Sequence, residues 1–218
     1  MIILKKIKAV VSELLGKSEK IVDEQLLGAI NETRFVVLDT ETTGFDYEND
    51  RILSIGAITL QNSQINIQDS FEVYIQQEHY DRATAKIHGI LKDSVLDRPK
   101  ELEALEQFLA FLGDSIIVAH HTIFDVTMIN KALERNNLPL LKNKTLDTAV
   151  LYKRTLLVSP IFERKDNYTL DDLADKFDIS KKDRHNAMGD AFITAIAFLK
   201  ILKKLREKKE ITLLQLFK

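Results

Sequence analysis

Apolar residues recur along the chain first at a helical period and then at a strand period. In residues 1–32, Ile3, Ile7, Val10, Val11, Leu14 and Leu15 fall on one helical stripe. Gly16 interrupts it, and a second stretch from about Ser18 to Ile30 repeats the pattern with Ile21, Val22, Leu26, Leu27 and Ile30. The spacing predicts an N-terminal helical extension, with Ser18 as the cap of its second helix. From Arg34 to Asp39 the residues are β-rich and almost all apolar, which predicts a buried strand ended by Thr42-Thr43-Gly44. A polar loop runs to Asp50, and further strands are predicted at 52–60 and 70–75, with connections short enough for antiparallel pairing. Helical spacing returns at 99–111 through Leu102, Leu105, Phe108 and Leu109. A strand at 115–119, a helix at 124–136 closed by Asn137 and Pro139, a short strand at 145–147, and helices at 169–177 and 186–205 complete the pattern. Strands that cluster early and then alternate with helices predict class α/β, a mixed sheet with helices packed on it.

Composition narrows the chemistry. The chain of 218 residues has no Cys, so disulfides, thiol nucleophiles and thiolate metal sites are excluded. Any metal must sit on Asp, Glu, His or carbonyl oxygen. The 31 Lys and Arg against 33 Asp and Glu leave a net charge of −2, unlike a basic nucleic-acid coat. Three Pro and seven Gly argue against long linkers. The apolar run Ala191–Leu199 stops at Lys200, well short of the ~20 residues a membrane span needs. Lys residues interleave the apolar N-terminus where a signal peptide would be uninterrupted, so a cytoplasmic location is expected.

Three segments carry candidate chemistry. Asp39-Thr40-Glu41 closes the first strand, and side chains at i and i+2 share a strand face. Two carboxylates so placed repel unless a cation lies between them. Alone, the pair fits a turn residue and a solvated neighbour about as well as a metal site. Asp125, in Ala119-His120-His121-Thr122-Ile123-Phe124-Asp125, falls in the first turn of a helix. There it would complement the helix dipole in any case, or supply a third carboxylate at the mouth of the sheet. In His185-Asn186-Ala187-Met188-Gly189-Asp190, Asn186 can cap the last long helix. Asp190 then lies beside an apolar face, costly if buried unpaired, with His185 on the preceding loop. No Lys or Arg falls inside these motifs, which leaves metal as the expected counter-charge.

Read in order, Asp-x-Glu, Phe-Asp and His-x4-Asp resemble the DEDD superfamily of 3′–5′ exonucleases, in the subgroup whose last motif carries a histidine. The likeness is closest to the proofreading epsilon subunits of bacterial replicative DNA polymerases. It runs from about Phe35 to Leu205 and includes Ile55-Gly56-Ala57, Ile87-His88-Gly89-Ile90 and Leu146-Asp147-Thr148. His121 departs from the family's usual Asn. The resemblance implies a ribonuclease H-like five-stranded mixed sheet flanked by helices, in an exonuclease domain of residues 33–206 between the extension 1–32 and a tail 207–218. It implies Asp39, Glu41, Asp125 and Asp190 as ligands of two Mg²⁺ or Mn²⁺, and His185 as general base. The implied substrate is a single-stranded 3′ end, with DNA in proofreading or repair favoured and nucleoside monophosphates released. RNA trimming as by ribonuclease T, a nucleotide-level phosphodiesterase, and a non-catalytic nucleic-acid-binding module are the alternatives. Retention of all four carboxylates and His185 speaks for the enzyme.

Thr42, Phe45 and His88 are further candidates for contact with the terminal nucleotide. The basic run Lys200, Lys203, Lys204, Arg206, Lys208 and Lys209 reads better as a solvated helix face than as a phosphate track. The apolar stripe of residues 1–32 must bury against something: the exonuclease core, a second copy in a homodimer, or a partner such as a DNA polymerase. Leu213-Leu214-Gln215-Leu216-Phe217 faintly resembles a sliding-clamp peptide.

Overall fold

In the computed structural model, described over residues 30–78, 82–90, 97–156, 165–208 and 211–218, a single five-stranded sheet has the order β3-β2-β1-β4-β5. The helices expected before residue 30 lie outside the described residues. Strand β1 (Phe35–Thr42) is central, antiparallel to β2 (Ile52–Gln61) and parallel to β4 (Ile116–Ala119), while β5 (Thr145–Asp147) is parallel to β4. β3 (Gln64–Tyr74) pairs antiparallel with β2 at the edge. It begins six residues before the predicted start at Ser70, because its first half is mostly exposed and lacks the apolar alternation that marks a half-buried strand.

Helices cover both faces. One face takes α2 (Glu101–Leu112) and α3 (Ile123–Arg135), which pack on Val36, Leu38, Ile55 and Ala57. The other takes α4 (Thr148–Thr155), α5 (Leu170–Phe177) and the long α6 (Ala187–Lys208), packed on Phe35, Val37 and Ile58. Phe35 and Phe198 meet edge to face at 5.3 Å, locking β1 to α6. A short α1 (Arg82–His88) and α4 were not apparent from periodicity, since neither is long enough to show a full apolar stripe. The last residues form a short helix, α7 (Leu213–Leu216). Leu213 and Leu216 are buried in the core, and Arg154 donates to the carbonyls of Gln215 and Leu216. Two of the three leucines that suggested a clamp peptide, Leu213 and Leu216, are therefore committed to the fold. Among the described residues no helix is long and apolar enough to cross a membrane.

Candidate active site

The period of β1 decides where its carboxylates go. Asp39 and Glu41 share parity with Phe35 and Val37 and so face α6, whereas Thr40 faces the α3 side with Val36 and Leu38. Asp39 pairs in register with Gly56 on β2, and the first turn of α6 rests on that glycine. A Cβ at Gly56 would lie 2.2 Å from the backbone nitrogen of Met188. The bare backbone there lets the helix start approach the sheet closely enough to set Asp190 beside Asp39 and Glu41. Asn186 caps α6 as its sequence suggests, its side-chain oxygen accepting from the Gly189 amide at 3.0 Å.

Carboxylate oxygens of Asp39, Glu41 and Asp190 all lie within 4.8 Å of one another, a group that could hold a metal ion. Burial, reinforced by its acidic neighbours, raises the Asp39 pKa well above the usual carboxylate range. Glu41 is pushed to about 7, by burial first and then by Asp190. Asp190 is also raised by burial, against the pull of Arg184. Its Oδ1 is buried and has no hydrogen-bond partner among the described residues, so one acceptor faces no donor. Hard oxygen donors in this density fit Mg²⁺ or Mn²⁺.

Asp125 stands apart from that group. It comes from the opposite face of the sheet, in the first turn of α3, and is 3% exposed. Its Oδ1 accepts from the backbone amide of Thr40 at 3.0 Å and from the Thr40 hydroxyl at 2.8 Å. These bonds lower its pKa, but burial outweighs them and lifts it to about 7. Thr40 thus turns Asp125 toward the end of β1. Asp147 steadies the same region: its Oδ2 accepts from the Thr122 amide, and its Oδ1 caps α4 through Ala149 and Val150.

His185 lies on the loop just before α6, exposed, with φ of 64°. Its amide donates to Asp190 Oδ2 at 3.2 Å, which keeps the residue within electrostatic reach of the cluster. His121 also has a left-handed backbone, φ 61°. Asn and His both tolerate that conformation, which accounts for His in the place where the resembling family has Asn.

Further neighbours of the site have roles that the sequence does not announce. Arg184 immediately precedes the last motif, and its Nη1 pairs with Asp190 Oδ2 while its Nε pairs with Asp171 on α5. This corrects the expectation that metal alone supplies counter-charge. Thr40, between the two acids of β1, gives no sign in the sequence of its bonds to Asp125, 85 positions away. Phe124 and Tyr47 lie 5.6 and 5.9 Å from aromatic partners, forming a group with the 82% exposed Phe45. Ile123, also exposed, adjoins them in sequence at the start of α3. His88 ends α1, which touches the Thr43 carbonyl through Thr84. Its Nδ1 accepts from the Ile90 amide, placing the ring proton on Nε2, which is buried without a partner among the described residues.

A family model described as Exonuclease matches residues 36–198. The DNA polymerase III subunit epsilon of Aquifex aeolicus is 32% identical over 189 residues, covering 87% of this chain and 88% of that protein. A PolC-type DNA polymerase III of Caldanaerobacter subterraneus is 36% identical over 177 residues, 81% of this chain; the chain spans only 12% of that relative's length. Among solved structures, E. coli exonuclease I in complex with a dT13 oligonucleotide matches with a TM-score of 0.69 over 81% of this chain and 42% of its own. At 17% identity that likeness establishes the fold, the ribonuclease H-like arrangement of exonuclease I.

Proposed function

This chain belongs to the exonuclease family, hydrolases of phosphodiester bonds, and on that premise we propose that it removes mononucleotides from the 3′ end of single-stranded nucleic acid, DNA in preference to RNA. The observation that carries the reading is the convergence of Asp39, Glu41 and Asp190 with an orphaned, buried Asp190 oxygen. Asp39, Glu41, Asp125 and Asp190 would hold two divalent cations. When bound, such cations acidify a water and neutralise charge on the phosphodiester.

The chain's own residues supply the rest. His185 accepts the proton of the attacking water, a role suited to an exposed imidazole on a loop beside the acids. Thr40 keeps one Asp125 oxygen engaged and so fixes the orientation of the other. Phe45, backed by Phe124 and Tyr47, offers a stacking surface for a terminal base. Thr42 closes β1 beside the acids, its hydroxyl donating to the Gly44 carbonyl. Kinship with polymerase III epsilon and PolC-type chains supports DNA and a polymerase partner in replication.

The test is degradation of 3′-labelled and 5′-labelled single-stranded DNA and RNA in Mg²⁺, in Mn²⁺ and in EDTA. Mononucleotides should be released from the 3′ end, in metal only, and faster from DNA. Undiminished turnover in excess EDTA, or release from the 5′ end, rejects the mechanism. Faster turnover of RNA moves the assignment to RNA trimming.

A further inference from the structure

Asp190 is held from one side only. Its Oδ2 accepts from the Arg184 guanidinium and from the His185 amide, whereas Oδ1 is buried without a partner among the described residues. The Arg184 side chain is 17% exposed and is shared: Nη1 goes to Asp190, and Nε to Asp171 Oδ1 at 2.8 Å. The Asp171 side chain is 48% exposed, on α5, outside every motif of the site. The loop that carries Arg184 lies flat against α6, since a Cβ at Gly189 would sit 2.0 Å from the Asp183 carbonyl. A guanidinium stays charged at every accessible pH, so this bridge is permanent unless something displaces it.

We propose that Arg184 is an internal counter-ion that competes with divalent cations for Asp190, and that Asp171 sets the strength of the competition by drawing the guanidinium away. The proposal rests on the exonuclease reading in taking Asp190 as a cation ligand. Without a cation, three crowded carboxylates repel, and Arg184 compensates one of them. An arriving dication meets a unit positive charge already bonded to the oxygen beside the one it needs. Binding therefore includes the cost of loosening the Arg184–Asp190 contact. Asp171 lowers that cost, because it offers the fork a second carboxylate on which to stay bonded. The pair tunes affinity for metal without either residue ligating it.

The experiment titrates Mn²⁺ into the full chain, with free ion counted by electron paramagnetic resonance, and compares melting in EDTA. Arg184→Gln should bind Mn²⁺ about tenfold tighter, the scale of one lost charge-assisted contact, and should melt below wild type in EDTA. Arg184→Lys keeps the charge but not the fork. It should also bind more tightly than wild type, whereas a long-range field alone would leave its affinity unchanged. Asp171→Asn keeps the arginine and should bind severalfold more weakly. Arg184→Gln or Arg184→Lys with wild-type or weaker affinity overturns the proposal. If the arginine variants fail to fold, unchanged or tighter binding by Asp171→Asn overturns it. A wild-type protein that takes up no Mn²⁺ sinks the exonuclease reading itself. One that binds Mn²⁺ and degrades DNA while its variants do not shift sinks this inference alone.

Discussion

Glu41→Gln should make the metal-free protein more stable while destroying its activity. Glu41 is half-buried beside Asp190, and its pKa rises from 4.5 to about 7, chiefly through burial. At 1.36 kcal/mol per pKa unit that rise is worth about 3 kcal/mol. Because the folded state holds the proton more tightly than the unfolded state, the wild type is favoured at low pH and loses stability as pH climbs from 4.5 to about 7. Above that window the ionised carboxylate carries the whole penalty, which the neutral amide avoids. In EDTA at pH 8 the variant should melt about 6–12 °C above wild type, at roughly 2–4 °C per kcal/mol for a chain of this size. At pH 5 the wild-type carboxyl is protonated when folded, and the advantage should shrink to under about 1 kcal/mol. Excess Mn²⁺ should reverse the order, since only the wild type keeps the full donor set. Circular dichroism melts at both pH values, with and without metal, measure all of this. A variant that melts at or below wild type in EDTA at pH 8 would refute the claim that Glu41 is under electrostatic stress.

His185→Ala should lower turnover by ~10²–10⁴ while leaving Mn²⁺ affinity near wild type, because the residue is assigned as a base and not a ligand; single-turnover kinetics beside a metal titration check the split. Gly56→Ala sets a Cβ against the backbone of Ala187 and Met188, so it should cost about 1–3 kcal/mol in urea unfolding and weaken Mn²⁺ binding by displacing Asp190. Phe45→Ala removes a side chain that is 82% exposed, so melting should change by less than about 0.5 kcal/mol. Its KM for a single-stranded oligonucleotide should rise about tenfold, as expected for one lost base stack.

The order of motifs was legible because each rests on a local device. Strand parity puts Asp39 and Glu41 on one face, Asn186 caps the helix that carries Asp190, and Asp125 opens a helix after an apolar strand. What stayed hidden depends on pairs distant in sequence. Arg184 meets Asp171 across 13 positions, and Thr40 meets Asp125 across 85, with no periodicity to announce either. The first half of β3 was missed because an exposed edge strand pairs through its backbone and leaves little trace in side-chain pattern. His121 looked like a departure, and its left-handed φ turns it into a substitution that the backbone accommodates.

The carboxylates come from residues 39, 41, 125 and 190, on both faces of the sheet, and the last of them rides on α6, which follows every strand of the sheet in sequence. A polypeptide leaving the ribosome therefore presents Asp39 and Glu41 long before Asp190 has been synthesised. Until α6 settles on Gly56, there is a pair of acids on β1 and no complete acidic cluster. The order of translation itself therefore delays assembly of the acid cluster until α6 has been made and has docked.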